Sequence, residues 1–288
     1  MRVVSDLELV NRTAVLGVRF WDNVTGRAVG EGLHVTESTT GRRAVRGPSN
    51  VYVFGDLPGL RAASFGIAEP TFWNSPPATA GFTFEVTDRD RRFIPFRFSA
   101  ELPQRSLFVP SCVATSSPPG VGNSVPLFSA PARPTQPGFA SVRADLWDAL
   151  ADAPAAGAVL EISGVGADTW SGVSDTRGSV VVQCPYPEPR WQDASPPPGS
   201  SALSQQGWTI GVSVRYSPAI ASPPASGGPA IVGYADRSPD LCAILTQTAG
   251  TLLAGDSPSA DLPPQTLLFG SELILRSAGQ SVLLVLPT

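Results

Sequence analysis

Residues 13–22 read TAVLGVRFWD, and the alternation within them decides the fold class. Ala14, Leu16, Val18 and Phe20 fall on one side of an extended chain; Val15, Gly17, Arg19 and Trp21 fall on the other. Successive side chains of a strand point to opposite faces, so the first set, apolar throughout, marks a face turned toward a core. A turn is expected directly afterwards at 23–26 (NVTG), where Asn and Gly tolerate tight backbone geometry.

Strand patterns continue outward from this stretch through GLHVTE (32–37), NVYVF (50–54) and GFTFEVT (81–87). After a polar turn at 88–91, FIPFRFSAEL (93–102) sets Ile94, Phe96, Phe98 and Ala100 against Phe93, Pro95, Arg97 and Ser99. Pro95 marks a strand start or an edge, because it cannot donate to a ladder. FASVRADL (139–146), residues 159–163, GVSDTRGSVVVQC (172–184) and WTIGVSVRY (208–216) follow, with a D-x-x-G turn at Asp175 and Gly178. Segments 241–248, 251–254, 266–269, 272–277 and 281–286 complete the strands, the last two as a hairpin turned at Ala278, Gly279 and Gln280. One short helical turn fits before Pro154. With 30 Pro and 28 Gly, few windows have room for a longer helix. Strands do not alternate with helices, which argues against parallel sheets.

The expected class is therefore all-β, in two Ig-like β-sandwich domains with Pro-rich extended connectors. Residues 1–105 form the N-terminal sandwich, 106–137 a Pro-rich connector, and 138–288 a C-terminal sandwich with a Pro-rich insertion near 185–201. Proline makes such connectors semi-rigid, able to lie along a neighbour.

Composition narrows the function classes. Hydrophobic residues at 42% and charged residues at 15% exclude a disordered chain. The net charge of −4 has no basic cluster to set against phosphate, so no nucleic-acid partner is expected. All 20 basic residues are Arg. Cys112, Cys184 and Cys242 are odd in number and far apart, which predicts three buried free thiols in a reducing compartment and no zinc site. Asp6, Glu8 and Arg12 interrupt the first residues, and no stretch approaches 18 apolar residues. A cytoplasmic protein is expected, without signal peptide or membrane span, leaving the cell by lysis or inside a particle.

No chemistry stands out. His34 is the only histidine and lies in a strand, and no nucleophile motif surrounds any serine, so no catalytic residue and no enzyme is expected. No phosphate loop exists and no lysine could serve one, so no cofactor is expected. Glu85, Asp88 and Asp90 are a candidate oxygen cluster for a hard cation, but Arg89, Arg91 and Arg92 interleave with them, which favours a solvated turn and no metal. The candidate partner-binding residues are Trp73 and Trp191, in loop-like surroundings, and Arg133 in the connector.

VRFWDNVTGRAVGEGLHVTE (18–37), NVYVFGDLPGL (50–60) and FEVTDRDRRFIPFRFSAELP (84–103) together resemble the carboxypeptidase-regulatory-like, or transthyretin-like, sandwich. Thr25, Gly26 and Val29 match its TG-x-x-V turn, Leu57, Pro58 and Gly59 its LPG, and GVSDTRGSVVV repeats the theme in the second half. The resemblance covers roughly residues 10–105 and 138–186. Residues 125–148, 180–189 and 268–287 look like β-rich structural proteins of contractile injection systems and phage-tail-like particles. That resemblance implies a non-enzymatic structural or adaptor component whose partners are other protein subunits. The alternative is a lectin- or adhesin-like sandwich that binds a glycan or receptor.

Overall fold

The structure is a computed structural model that describes residues 14–66, 69–75, 78–113, 124–165, 168–186, 206–221, 238–255 and 262–287. It is all-β. The first half supplies β1 (Leu16–Asp22), β2 (Leu33–Glu37), β3 (Val45–Arg46), β4 (Val51–Phe54), β5 (Ala80–Asp88), β6 (Phe96–Leu102) and β7 (Val125–Leu127). They form two sheets, β3-β4-β1-β7 and β2-β5-β6. Between the sheets lies a phenylalanine-rich core. Phe20 of β1 meets Phe98 of β6 at 6.4 Å between ring centroids, and Phe54 of β4 meets Phe84 of β5 at 4.8 Å. Phe84 and Phe108 stack on Phe98 from 5.3 and 5.2 Å. Each such fully buried ring is worth about 1.5–3 kcal/mol in burial, and each ring pair about 0.5–1.5 kcal/mol more. The alternation read at residues 13–22 holds at its centre, where Leu16, Val18 and Phe20 are buried and Gly17 and Arg19 half-buried, while Val15 and Trp21 of the opposite face are buried as well. β6 starts directly after Pro95, with Phe96, Phe98, Ala100 and Leu102 inward.

The second half supplies β8 (Phe139–Asp148), β9 (Ala153–Pro154), β10 (Val159–Ser163), β11 (Trp170–Val173), β12 (Ser179–Pro185), β13 (Gly207–Arg215), β14 (Ala249–Leu252), β15 (Gln265–Leu268), β16 (Glu272–Leu275) and β17 (Leu283–Leu286). They make one ten-stranded sheet along the path β11-β10-β13-β14-β17-β8-β12, with β15 on β13 and with β9 and β16 on β8. The sheet curls until its ends meet. Gly172 of β11 lies so close to β12 that a Cβ there would come within 2.3 Å of the Val181 carbonyl oxygen. Val142, Leu146, Leu160, Ile162, Val182 and Ile210 fill the enclosed core.

The pairing scheme of the first half recurs in the second. β1 has antiparallel β4 on one side and parallel β7 on the other. β8 has antiparallel β12 and parallel β16 and β17. β2-β5-β6 and β10-β13-β15 are both antiparallel throughout. The turns after β1 and β8 are also alike. Asp22 Oδ1 accepts from the Val24 amide at 3.0 Å, and Asp148 Oδ1 accepts from the Leu150 and Ala151 amides at 2.9 and 3.0 Å. The Val29 amide then returns to the Phe20 carbonyl at 2.9 Å, as the Ala155 amide does to Leu146 at 3.0 Å. FWDNVTG and LWDALAD carry this likeness in the Trp-Asp pair and the later left-handed residue, Gly26 or Asp152.

Four expectations need correction. Two of the three sheets are mixed, because the last strands of each half run parallel to its first. For the same reason 272–277 and 281–286 are not a hairpin: both strands dock on β8. The segment 106–137 is not simply a connector, since β7 is fully buried and the Phe108 amide bonds the Gly17 carbonyl at 2.8 Å. Proline is tolerated in β7 because the element is only three residues at a sheet edge. Residues 241–248 do not form a strand but open as helix α3 (Leu241–Leu245), after α1 (Arg61–Gly66) and α2 (Pro218–Ala221). Asp240 caps α3 by accepting from the Ala243 amide at 3.0 Å, satisfying an otherwise orphaned donor.

The cysteine reading also changes. Cys112 and Cys242 are joined in a disulfide across 130 residues, with Cα atoms 5.3 Å apart, and only Cys184 remains free. Sequence spacing could not show this, because the two meet only after α3 docks on the first half. The insertion near 185–201 lies almost wholly outside the described residues.

Candidate functional site

The β1–β2 turn, the β5–β6 turn and residues 129–136 surround an open hollow of about 520 Å³. Its floor is an ion pair. Arg133 Nη1 donates to Asp22 Oδ1 at 2.9 Å and to Ser129 Oγ at 3.0 Å, and Nη2 donates to Asp22 Oδ2 at 2.6 Å. Both side chains are 7% exposed. Burial would raise the Asp22 pKa, but hydrogen bonds from Arg133, Val24 and Thr25, with the guanidinium charge, hold it below its usual 3.8.

A second pair stands beside the first. Arg92 donates to Asp88 through Nε and Nη2, both at 2.9 Å, and through its backbone amide at 2.7 Å. Burial opposes ionisation of Asp88 and these bonds overcome it, so its pKa is also lowered from 3.8. Arg92 and Arg133 each bring a guanidinium over the Phe93 ring, at 5.2 and 4.9 Å from its centroid. Gly32, with φ +83°, leaves the room: a Cβ there would lie 2.7 Å from Arg92 Nη2. Buried Arg133 and half-buried Arg92 are thus already neutralised, and the hollow's chemistry is that of a structural joint.

Sequence reasoning had placed Arg133 among the partner-binding residues. The structure places it inside, where it ties residues 129–136 to the end of β1. Asp22 was missed as its partner because 111 residues separate them. Trp73 is half-buried in the short 3-10 helix Pro70–Asn74, edge-on to Phe72 at 5.2 Å and packed against the first core. Trp191 lies outside the described residues. His34 stands exposed on β2, across from Thr87. Among the described residues no ion pair joins Asp148, the counterpart of Asp22, to an arginine. Burial first, then the Asp148 carboxylate, pushes the Tyr216 hydroxyl up to about 12.

Two surface features had no signal in single residues. Among the described residues the exposed large apolar side chains are Val45 (68%), Leu150 (73%), Leu268 (46%) and Ile274 (52%). Three of these sit on strands that have one ladder partner among the described residues: β3, β15 and β16. Near β15, Tyr186, Trp208 and Phe269 form a half-buried aromatic trio, with Tyr186 and Phe269 4.6 Å apart and Tyr186 5.7 Å from Trp208. The Gly270 amide donates to the Tyr186 hydroxyl at 2.8 Å and fixes its orientation.

No known protein family matches the sequence, and no curated protein does. Among solved structures the chain is similar to the Bacillus anthracis TIE protein at 8% identity, over 96% of this chain and 34% of that one, with a TM-score of 0.24. It thus spans about a third of that protein's length. A likeness at this level carries no argument about role. No helix among the described residues is long and apolar enough to cross a membrane.

Proposed function

We propose that this chain is a non-enzymatic structural or adaptor component of a large protein assembly, docking through the edges of its sheets. The observation that supports this is the concentration of exposed Val45, Leu268 and Ile274 on single-partner strands. Such strands offer unpaired backbone donors and acceptors to an incoming strand, and their apolar side chains add area to the contact. The partners are other protein subunits, not nucleic acid. From the sequence resemblance we carry forward a contractile injection system or phage-tail-like particle as the assembly. The Cys112–Cys242 disulfide belongs to oxidising surroundings and is rare in the cytosol, so it favours a working place outside the reducing cytoplasm, such as a released particle.

The test is co-expression with the products of neighbouring genes. A Leu268→Glu, Ile274→Glu double variant should keep the wild-type circular dichroism and fail to co-purify with them. Undiminished co-purification would sink the docking reading. A glycan- or receptor-binding role is the second reading, favoured by the Tyr186, Trp208 and Phe269 trio, because aromatic faces stack on sugar rings. Glycan-array binding abolished by Trp208→Ala would promote it over the first.

A further inference from the structure

Residues 238–245 belong to the second half of the chain but close the first. Leu241 and Ile244 are buried in the core built around Phe20, Phe84 and Phe98. The Pro239 carbonyl accepts from the Arg97 amide at 2.9 Å, so this segment covers the outer edge of β6 at its first turn of pairing. Ser238 Oγ donates to Glu85 Oε1 at 2.6 Å. The non-covalent hold is therefore Leu241, Ile244 and the half-buried Leu245 with a few hydrogen bonds, and a helix of five residues has little stability of its own. The covalent hold is the Cys112–Cys242 bond. Its far end lies just beyond Phe108, which is itself packed in the same core and tied to β1.

We propose that the Cys112–Cys242 disulfide is a redox latch that keeps α3 clamped on the first sandwich, and that a small thiol releases the clamp. Both cysteines are half-buried, within reach of such a reductant. A thiolate of the reductant attacks one sulfur and forms a mixed disulfide, and the other cysteine leaves as thiolate and takes up a proton. A second reductant thiol then resolves the mixed disulfide. Two electrons and two protons yield two cysteine thiols and one oxidised reductant. Cys184 does not interfere: it is fully buried in the second core, and burial pushes its thiol up to about 11, leaving almost no thiolate at neutral pH. Release bares the Arg97 end of β6 and the seats of Leu241 and Ile244, while the second core keeps all its strands. The latch does not depend on the docking role proposed above.

Hydrogen exchange read by mass spectrometry tests this on the full chain, as purified and in dithiothreitol, with Cys242→Ser under oxidising conditions as a second route to the open form. The expected result is at least a tenfold loss of protection in residues 96–99 and 238–246, the same in both open forms, with β8 and β12 unchanged. Equal protection in all three samples overturns the latch. Loss of protection throughout both halves overturns it too, because the bond would then hold up the whole fold. Alkylation of Cys112 and Cys242 in the unreduced protein would show that no such bond forms.

Discussion

Arg133 reaches Asp22 through two parallel hydrogen bonds in a site closed to water on most sides. Removing one partner of such a pair strands the other charge. Arg133→Met is therefore expected to cost about 3–5 kcal/mol in urea unfolding at pH 7, and adding Asp22→Asn to recover part of it. An unchanged midpoint for the single variant would mean the pair contributes nothing. The acid side follows from Asp22, Glu37 and Asp88, all lowered from their ordinary values of 3.8, 4.5 and 3.8. For Glu37, burial opposes ionisation, and hydrogen bonds from Thr40 and Thr39 outweigh it. A carboxyl with a lower pKa folded than unfolded stabilises fully above the unfolded value and loses that contribution as pH falls through the folded one. Unfolding midpoints should thus hold from pH 7 to about 5 and drop below about 4. Asp88→Asn should flatten part of that drop, and a profile equally steep in the variant would contradict the assignment. None of these partners was legible in the sequence, where Asp88 looked like part of a solvated turn.

At the level of elements, the turn between β11 and β12 was readable in full. Asp175 Oδ1 accepts from the Arg177 and Ser179 amides at 2.9 and 3.0 Å, and Gly178 sits at φ +79°. A Cβ at Gly178 would lie 2.2 Å from the Leu146 carbonyl oxygen, which the Asp175 turn presses against it. Gly178→Ala should therefore cost more than the ~1 kcal/mol of conformational strain alone, and lower the melting temperature by several degrees. A change within error would refute the close approach. Strands with long alternation, such as β1, β6 and β13, were legible because a buried face repeats at period two over seven to nine residues. β7 was not, since three residues with a central proline carry no period. α3 was misread because LCAIL is apolar enough for a strand, and only the Asp240 cap marks its start as helical.

Over the whole molecule, the chain divides less cleanly than its sequence suggests. Val159, Val173, Leu241 and Ile244 come from the second half and pack into the first core. Asn23 Nδ2 also donates to the Ser171 carbonyl at 3.0 Å across the two halves. A disulfide over 130 residues is worth at most about 5 kcal/mol by chain entropy, so Cys112→Ser should lower the urea midpoint in non-reducing buffer and leave it unaltered in dithiothreitol. A difference that persists in reductant would place the effect in packing. The repeated pairing scheme has one more consequence, and it concerns synthesis. β1 must wait for β7, and β8 for β16 and β17, each more than a hundred residues later along the chain. At translation rates of about 5–20 residues per second, the side of β1 that takes β7 stays bare on the ribosome for roughly 5–20 s, and that of β8 for somewhat longer. A nascent chain stalled before Val125, or before Glu272, displays a sheet edge that the finished protein hides, and there a chaperone or a neighbouring nascent chain finds its first hold.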